Sequence, residues 1–306
     1  MTIQSPRLRG VLSPVLTPFT NDLEPDPARF VQHCRWLLDS GVGLAIFGTN
    51  SEANSLSLAE RLNLLDVLLN AGLDPAALMP GTGCCALSDT VELTKKAVAS
   101  GCSGVLMLPP FYYKNVSDDG LFRAYSEVIQ RVGDGRLRIY LYHIPPVAQV
   151  PLSLALIERL LGEYPGTIAG IKDSSGDWSN TAAMLQRFQS DSFDVFCGSE
   201  VFLLQTLRGG GAGCITATGN VNPAAIVDLY TSWQNPGADE KQAQLTATRR
   251  VFEIMPMIAS MKAAIAWQRN DEQWHNVRPP LMNAPADKAA LLREALAQRG
   301  FAMPGV

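Results

Sequence analysis

Short apolar runs alternate with longer amphipathic ones along most of the chain, and that alternation predicts the architecture. Eight runs read as strands: GVLSPVL (10–16), GLAIFG (43–48), ALMPG (77–81), GVLMLP (104–109), LRIYLY (137–142), TIAGIK (167–172), FDVFCG (193–198) and AGCITAT (212–218). Between them lie stretches such as PARFVQHCRWLLDSG, SLAERLNLLDVLLNAG and LFRAYSEVIQRV, in which apolar residues recur at helical spacing. Several end in glycine, as helix C-termini do. Strands that are apolar throughout fit a parallel sheet covered by helices. Eight strand-helix units close most economically as a (β/α)8 TIM barrel. After residue 222 the patterns PAAIVDLYTSW, DEKQAQLTATRRVFEIMPMIASMKAAIAWQ and KAALLREALAQ are helical with no strand between them. The expected organisation is therefore an α/β barrel over 1–222 and a C-terminal three-helix extension over 223–306. An open doubly wound sheet would alternate the same elements. The dinucleotide fingerprint such a sheet often carries is missing, because GTGCC (81–85) lacks the last glycine and the following acid.

Composition narrows the function classes. The chain has 306 residues, 47% of them apolar, and a net charge of -4 with no Lys/Arg-rich block, which argues against a nucleic-acid partner. Six cysteines show no paired ligand spacing and the three histidines form no cluster, so no metal site is expected. The start, MTIQSPRLRG, lacks the apolar run of a secretory signal, and no apolar stretch reaches the ~18 residues needed to cross a bilayer. A cytoplasmic protein with reduced thiols and no membrane partner is the expectation.

In a barrel the C-terminal ends of the strands surround the active site. After the second strand, GTNSE (48–52) offers backbone N–H groups at a glycine turn together with the hydroxyls of Thr49 and Ser51, an arrangement suited to an anion or simply to capping a helix. The fourth ends in PPFYYKN, placing Phe111, Tyr112 and Tyr113 in a loop, where they cover the rim or meet another subunit. Tyr142 and His143 end the fifth strand and alternate in direction, so at most one faces the barrel mouth, and a structural role suits His143 better. Lys172 ends the sixth. Burial of an unpaired amine disfavours its charged form, and a neutral amine attacks carbonyls. The competing reading is an ion pair with Asp173 or Asp177, or a snorkelling surface lysine.

Together, GTNSE (48–52), PPFYY (109–113), YHIP (142–145) and GIKD (170–173) resemble the family of dihydrodipicolinate synthase and N-acetylneuraminate lyase, over nearly the whole chain. The resemblance implies a pyruvate-dependent class I aldolase with no cofactor beyond a covalent imine on Lys172. It implies Tyr142 as the proton relay, Thr49 as the hydroxyl linking the relay to the substrate carboxylate, and Asn50 beside it as a carboxylate-binding position. Tyr113 corresponds to a tyrosine passed across a subunit interface, which implies a homo-oligomer, a tetramer built as a dimer of dimers. Gly198 and Ile215 correspond to positions lining the bound keto acid. The substrate would be pyruvate or another small 2-oxo acid, plus an aldehyde.

Two departures bear on the aldehyde. The synthases that condense pyruvate with aspartate semialdehyde usually read GTTGE, and carry an arginine five residues after the tyrosine where Val147 stands here. A neutral branched side chain cannot grip a carboxylate. The sequence therefore favours cleavage or condensation of a 3-deoxy- or 4-hydroxy-2-oxo acid, with Asn50, Ser51 and Tyr112 offering hydrogen bonds to the aldehyde fragment, and Phe111 and Val147 apolar surface. An inward-facing His143 would favour an anionic or polyhydroxylated fragment. The 4-hydroxy-tetrahydrodipicolinate synthase activity, a 2-oxo-3-deoxy sugar acid dehydratase and a non-catalytic 2-oxo acid binding protein remain the alternatives.

Overall fold

Seven of the eight anticipated strands form in the computed structural model, which describes residues 7–190 and 192–306. They are β1 (Gly10–Ser13), β2 (Gly43–Leu44), β3 (Val105–Met107), β4 (Ile139–His143), β5 (Ile168–Asp173), β6 (Asp194–Cys197) and β7 (Gly213–Ile215). Their order in the sheet is β2-β1-β7-β6-β5-β4-β3. The helices are α1 (Pro27–Asp39), α2 (Leu58–Asn70), α3 (Leu87–Ala99), α4 (Asp118–Val132), α5 (Pro145–Ala148), α6 (Leu154–Glu163), α7 (Trp178–Phe188), α8 (Leu203–Arg208), α9 (Pro223–Ser232), α10 (Ala238–Phe252), α11 (Met257–Arg269) and α12 (Ala286–Gln298). Helix thus follows strand through β7 and α9, and α10 to α12 come after.

The run at 77–81 is the exception. It follows β3 through hydrogen bonds from Ser103 N–H to the Leu78 carbonyl (3.1 Å) and from Leu106 N–H to the Pro80 carbonyl (2.9 Å). Pro80 has no N–H to return, and the pairing narrows to a single bridge between Gly81 and Leu106.

The described residues divide into two compact units, one comprising 7–10, 74–190 and 192–215 and the other 11–73 and 216–306. In the first, β3 to β7 pair in parallel, and an apolar cluster from these strands and from α3, α4, α6 and α7 fills the space between them. The Tyr140 ring lies against Gly170, where an added Cβ would stand 2.4 Å from the Asp194 carbonyl and 2.6 Å from that ring. Glycine here is a condition of packing. Asp194 is fully buried, with Arg7 at 3.2 Å and Arg9 at 3.5 Å. Burial raises its carboxyl above the ordinary range, and the arginines oppose the rise.

In the second unit β1 pairs with β2, and Asn220 ties several segments together. Its Oδ1 accepts from Leu16 N–H at 2.9 Å and lies 3.1 Å from His33 Nε2, while its amide donates to the Pro14 and Ala217 carbonyls. His33 is buried, and desolvation lowers its pKa to about 3. The long helical pattern after residue 238 divides into α10 and α11 at Pro256, which has no N–H with which to continue α10.

Candidate active site

Parallel pairing of β4 with β5 sets Tyr142 beside Lys172. Each residue is 2% exposed, and Lys172 Nζ stands 4.2 Å from the centroid of the Tyr142 ring. Strand alternation turns the next residue, Asp173, elsewhere. Its carboxylate accepts from Ser175 N–H (3.0 Å), Ser175 Oγ (3.1 Å) and Thr181 Oγ1 (2.6 Å). Asp177 caps α7 by accepting from Ser179 N–H at 2.9 Å. The ion-pair reading of Lys172 therefore does not hold: among the described residues no carboxylate pairs with it. Surface snorkelling is excluded by the burial.

His143 faces a structural task. Its Nδ1 accepts from Leu152 N–H at 3.0 Å, which leaves the ring proton on Nε2 and fastens the chain beyond α5 to β4. Burial lowers its pKa, with Asp173 opposing. On α5, Val147 is 61% exposed. The loop between β3 and α4 presents Tyr112 and Tyr113, 74% and 72% exposed, packed edge to face at 5.4 Å, with Phe111 half-buried beside them. Gly198 N–H donates to the Asp173 carbonyl at 2.7 Å, and a Cβ at Gly198 would come within 2.0 Å of Ser174 Oγ, so this glycine lets β6 close against the end of β5. Ile215 is wholly buried at the end of β7. A separate cleft of about 330 Å³, lined by Cys84, Met107, Leu108, Arg123 and Tyr125 among others, includes none of the anticipated site residues.

Thr49, Asn50 and Ser51 belong to the second unit. The expected entry of GTNSE into a helix is corrected: a short 3-10 turn, Ala53–Ser55, follows, and α2 begins at Leu58 behind its own Ser57–Glu60 capping box. Ser51 is buried, its Oγ accepting from Gly48 N–H at 3.1 Å, so its hydroxyl closes the turn. Thr49 and Asn50 are half-buried. Glu52, in the left-handed conformation (φ 55°), ion-pairs with the fully buried Lys262 and accepts from Arg278 N–H at 3.0 Å. Nothing local in the sequence announces that pair.

A buried amine at a strand end, flanked by a tyrosine and with no carboxylate pairing among the described residues, is the arrangement a Schiff-base-forming class I lyase needs. The chain is a member of the dihydrodipicolinate synthetase family, which residues 7–299 match. It is 33% identical to an uncharacterized DapA-like lyase of Chloroflexus aurantiacus, over 94% of this chain and 95% of that one. It is 28% identical to the 4-hydroxy-tetrahydrodipicolinate synthase of Methanopyrus kandleri, over 98% and 99%. The crystal structure of dihydrodipicolinate synthase from Agrobacterium tumefaciens superposes with a TM-score of 0.88 at 28% identity, covering 95% of this chain and 99% of that one. The fold is accordingly the (β/α)8 barrel with C-terminal helices.

Proposed function

We propose that Lys172 attacks the keto carbon of pyruvate, that the keto oxygen leaves as water, and that the resulting imine is the working intermediate. The observation that carries this reading is the buried Lys172 amine, unpaired with any carboxylate among the described residues and 4.2 Å from the Tyr142 ring centroid. Loss of a proton from the pyruvate methyl group gives an enamine. Its carbon attacks an aldehyde, Tyr142 delivers a proton to the new alkoxide, and water hydrolyses the imine to free Lys172. Run backwards, the same steps cleave a 4-hydroxy-2-oxo acid. Thr49 and Asn50 serve the substrate carboxylate, and Tyr113 completes a neighbouring subunit's relay, in a barrel over 1–222 extended by 223–306.

The names of the relatives support the synthase, acting on pyruvate and aspartate semialdehyde, better than they support the cleavage reading drawn from the sequence. Neutral Val147 on α5 is what favours cleavage. A panel decides between them: condensation of pyruvate with aspartate semialdehyde, run beside pyruvate release from 4-hydroxy-2-oxo acids, 2-oxo-3-deoxy sugar acids and N-acetylneuraminate. A kcat/KM for condensation well above every cleavage reaction establishes the synthase. The reverse ranking establishes the lyase.

A further inference from the structure

Lys114 occupies a position that neither its sequence context nor the proposed chemistry uses. Its ammonium donates to the Phe111 carbonyl and, at 2.7 Å, to the Ala148 carbonyl. Phe111 opens the loop that carries Tyr112 and Tyr113. Ala148 is the last residue of α5, next to Val147, and its carbonyl is one of those a helix end leaves without an internal partner. Lys114 therefore bridges the segments that follow β3 and β4, at the same ends of the strands where Tyr142 and Lys172 lie.

Both acceptors are neutral. An ammonium has three N–H donors, and the two carbonyls use two of them. No carboxylate among the described residues pairs with Lys114, so one of its three N–H donors is left for another acceptor, next to the uncharged, exposed Val147. The carbonyls hold the flexible stem in one place, which lowers the entropic cost of using that charge for binding.

We infer that Lys114 is a specificity-determining residue that receives the carboxylate of an anionic aldehyde co-substrate. This rests on the proposed imine chemistry. A carboxylate carried on the aldehyde partner gains a charge-assisted hydrogen bond at Lys114, whereas a neutral aldehyde of similar size gains nothing there.

The test compares wild type, Lys114→Met and Lys114→Arg in condensation of pyruvate with aspartate semialdehyde and with glyceraldehyde, and traps the pyruvate imine with borohydride in each. The wild type is expected to prefer the anionic aldehyde. Lys114→Met should lower the ratio of the two kcat/KM values by roughly 10-fold or more, mainly through KM for the semialdehyde, while the adduct still forms on Lys172. Lys114→Arg should restore much of the ratio, and added salt should erode it in the wild type but not in Lys114→Met. An equal loss with both aldehydes would reduce Lys114 to a clamp and overturn the assignment, as would a wild type with no preference. Absence of the Lys172 adduct from the wild type would instead reject the imine chemistry itself.

Discussion

Each compact unit buries a lysine, and the two lysines are treated in opposite ways. Lys262, in the second unit, is wholly enclosed and fully matched: Glu52 takes its charge, the Asn276 carbonyl accepts at 2.7 Å, and the Phe19 ring lies 4.6 Å away. Lys172, in the first unit, has the ring of Tyr142 and no carboxylate. Desolvating an ammonium costs several kcal/mol unless a partner offsets it. Matched, such a group fixes structure; Lys172 is also buried, with no carboxylate beside it among the described residues, the arrangement the proposed imine chemistry calls for. Burial alone therefore does not single out a candidate nucleophile; of these two lysines, the one with no carboxylate beside it is the one proposed to form the imine.

Exchanging the lysines' side chains should separate the roles most sharply in rate. Lys172→Ala should lower kcat by at least ~10⁴-fold with a circular dichroism spectrum and melting temperature close to wild type. Tyr142→Phe should slow turnover by roughly 10²- to 10³-fold, with the imine still trappable, in a single-turnover measurement that separates imine formation from the later proton transfer. Lys262→Met should do the reverse, leaving the Lys172 adduct in place but stranding the Glu52 charge. A loss of about 3–5 kcal/mol in denaturant titration is expected, part of which returns in Lys262→Met/Glu52→Gln.

The smallest effect is in pH. Burial brings the Lys262 ammonium down to about 8, with Glu52 opposing the shift. Its pKa in the folded protein is thus below that in the unfolded chain, and between about 8 and 10.5 the unfolded chain binds more protons. The contribution of this group to stability consequently rises with pH across that window. The margin of wild type over Lys262→Met should widen there, by no more than about 3 kcal/mol. A margin that narrows would mean that loss of the charged pair outweighs the relief of desolvation.

What could be read in advance follows from the range of the interactions involved. Apolar strand runs and the lysine and tyrosine that end two of them are local patterns, so β4, β5 and the placement of Tyr142 and Lys172 were legible. The run at 77–81 has the apolar content of a full strand despite Pro80, and Pro256 sits inside a long helical pattern. Both are cases in which one missing N–H overrode periodicity. Glu52 and Lys262 are 210 positions apart, and only the folded chain shows that this lysine has a carboxylate partner and Lys172 has none among the described residues. Ser51 appeared as an open donor because its closing bond to Gly48 depends on the turn it makes. For Lys114 the sole signal was a lysine after two tyrosines in a proline-bounded loop, which says nothing about the Ala148 carbonyl it meets.

The central claim is that the lysine without a counter-charge is the nucleophile. Incubation with pyruvate and borohydride, followed by proteolysis and mass spectrometry, reads this directly, because both buried lysines are candidates in one experiment. A reduced pyruvyl adduct is expected on the peptide containing Lys172 and none on the peptide containing Lys262, with loss of activity in proportion to labelling. An adduct on Lys262 or another lysine in place of Lys172, or no adduct under conditions of active turnover, would contradict it.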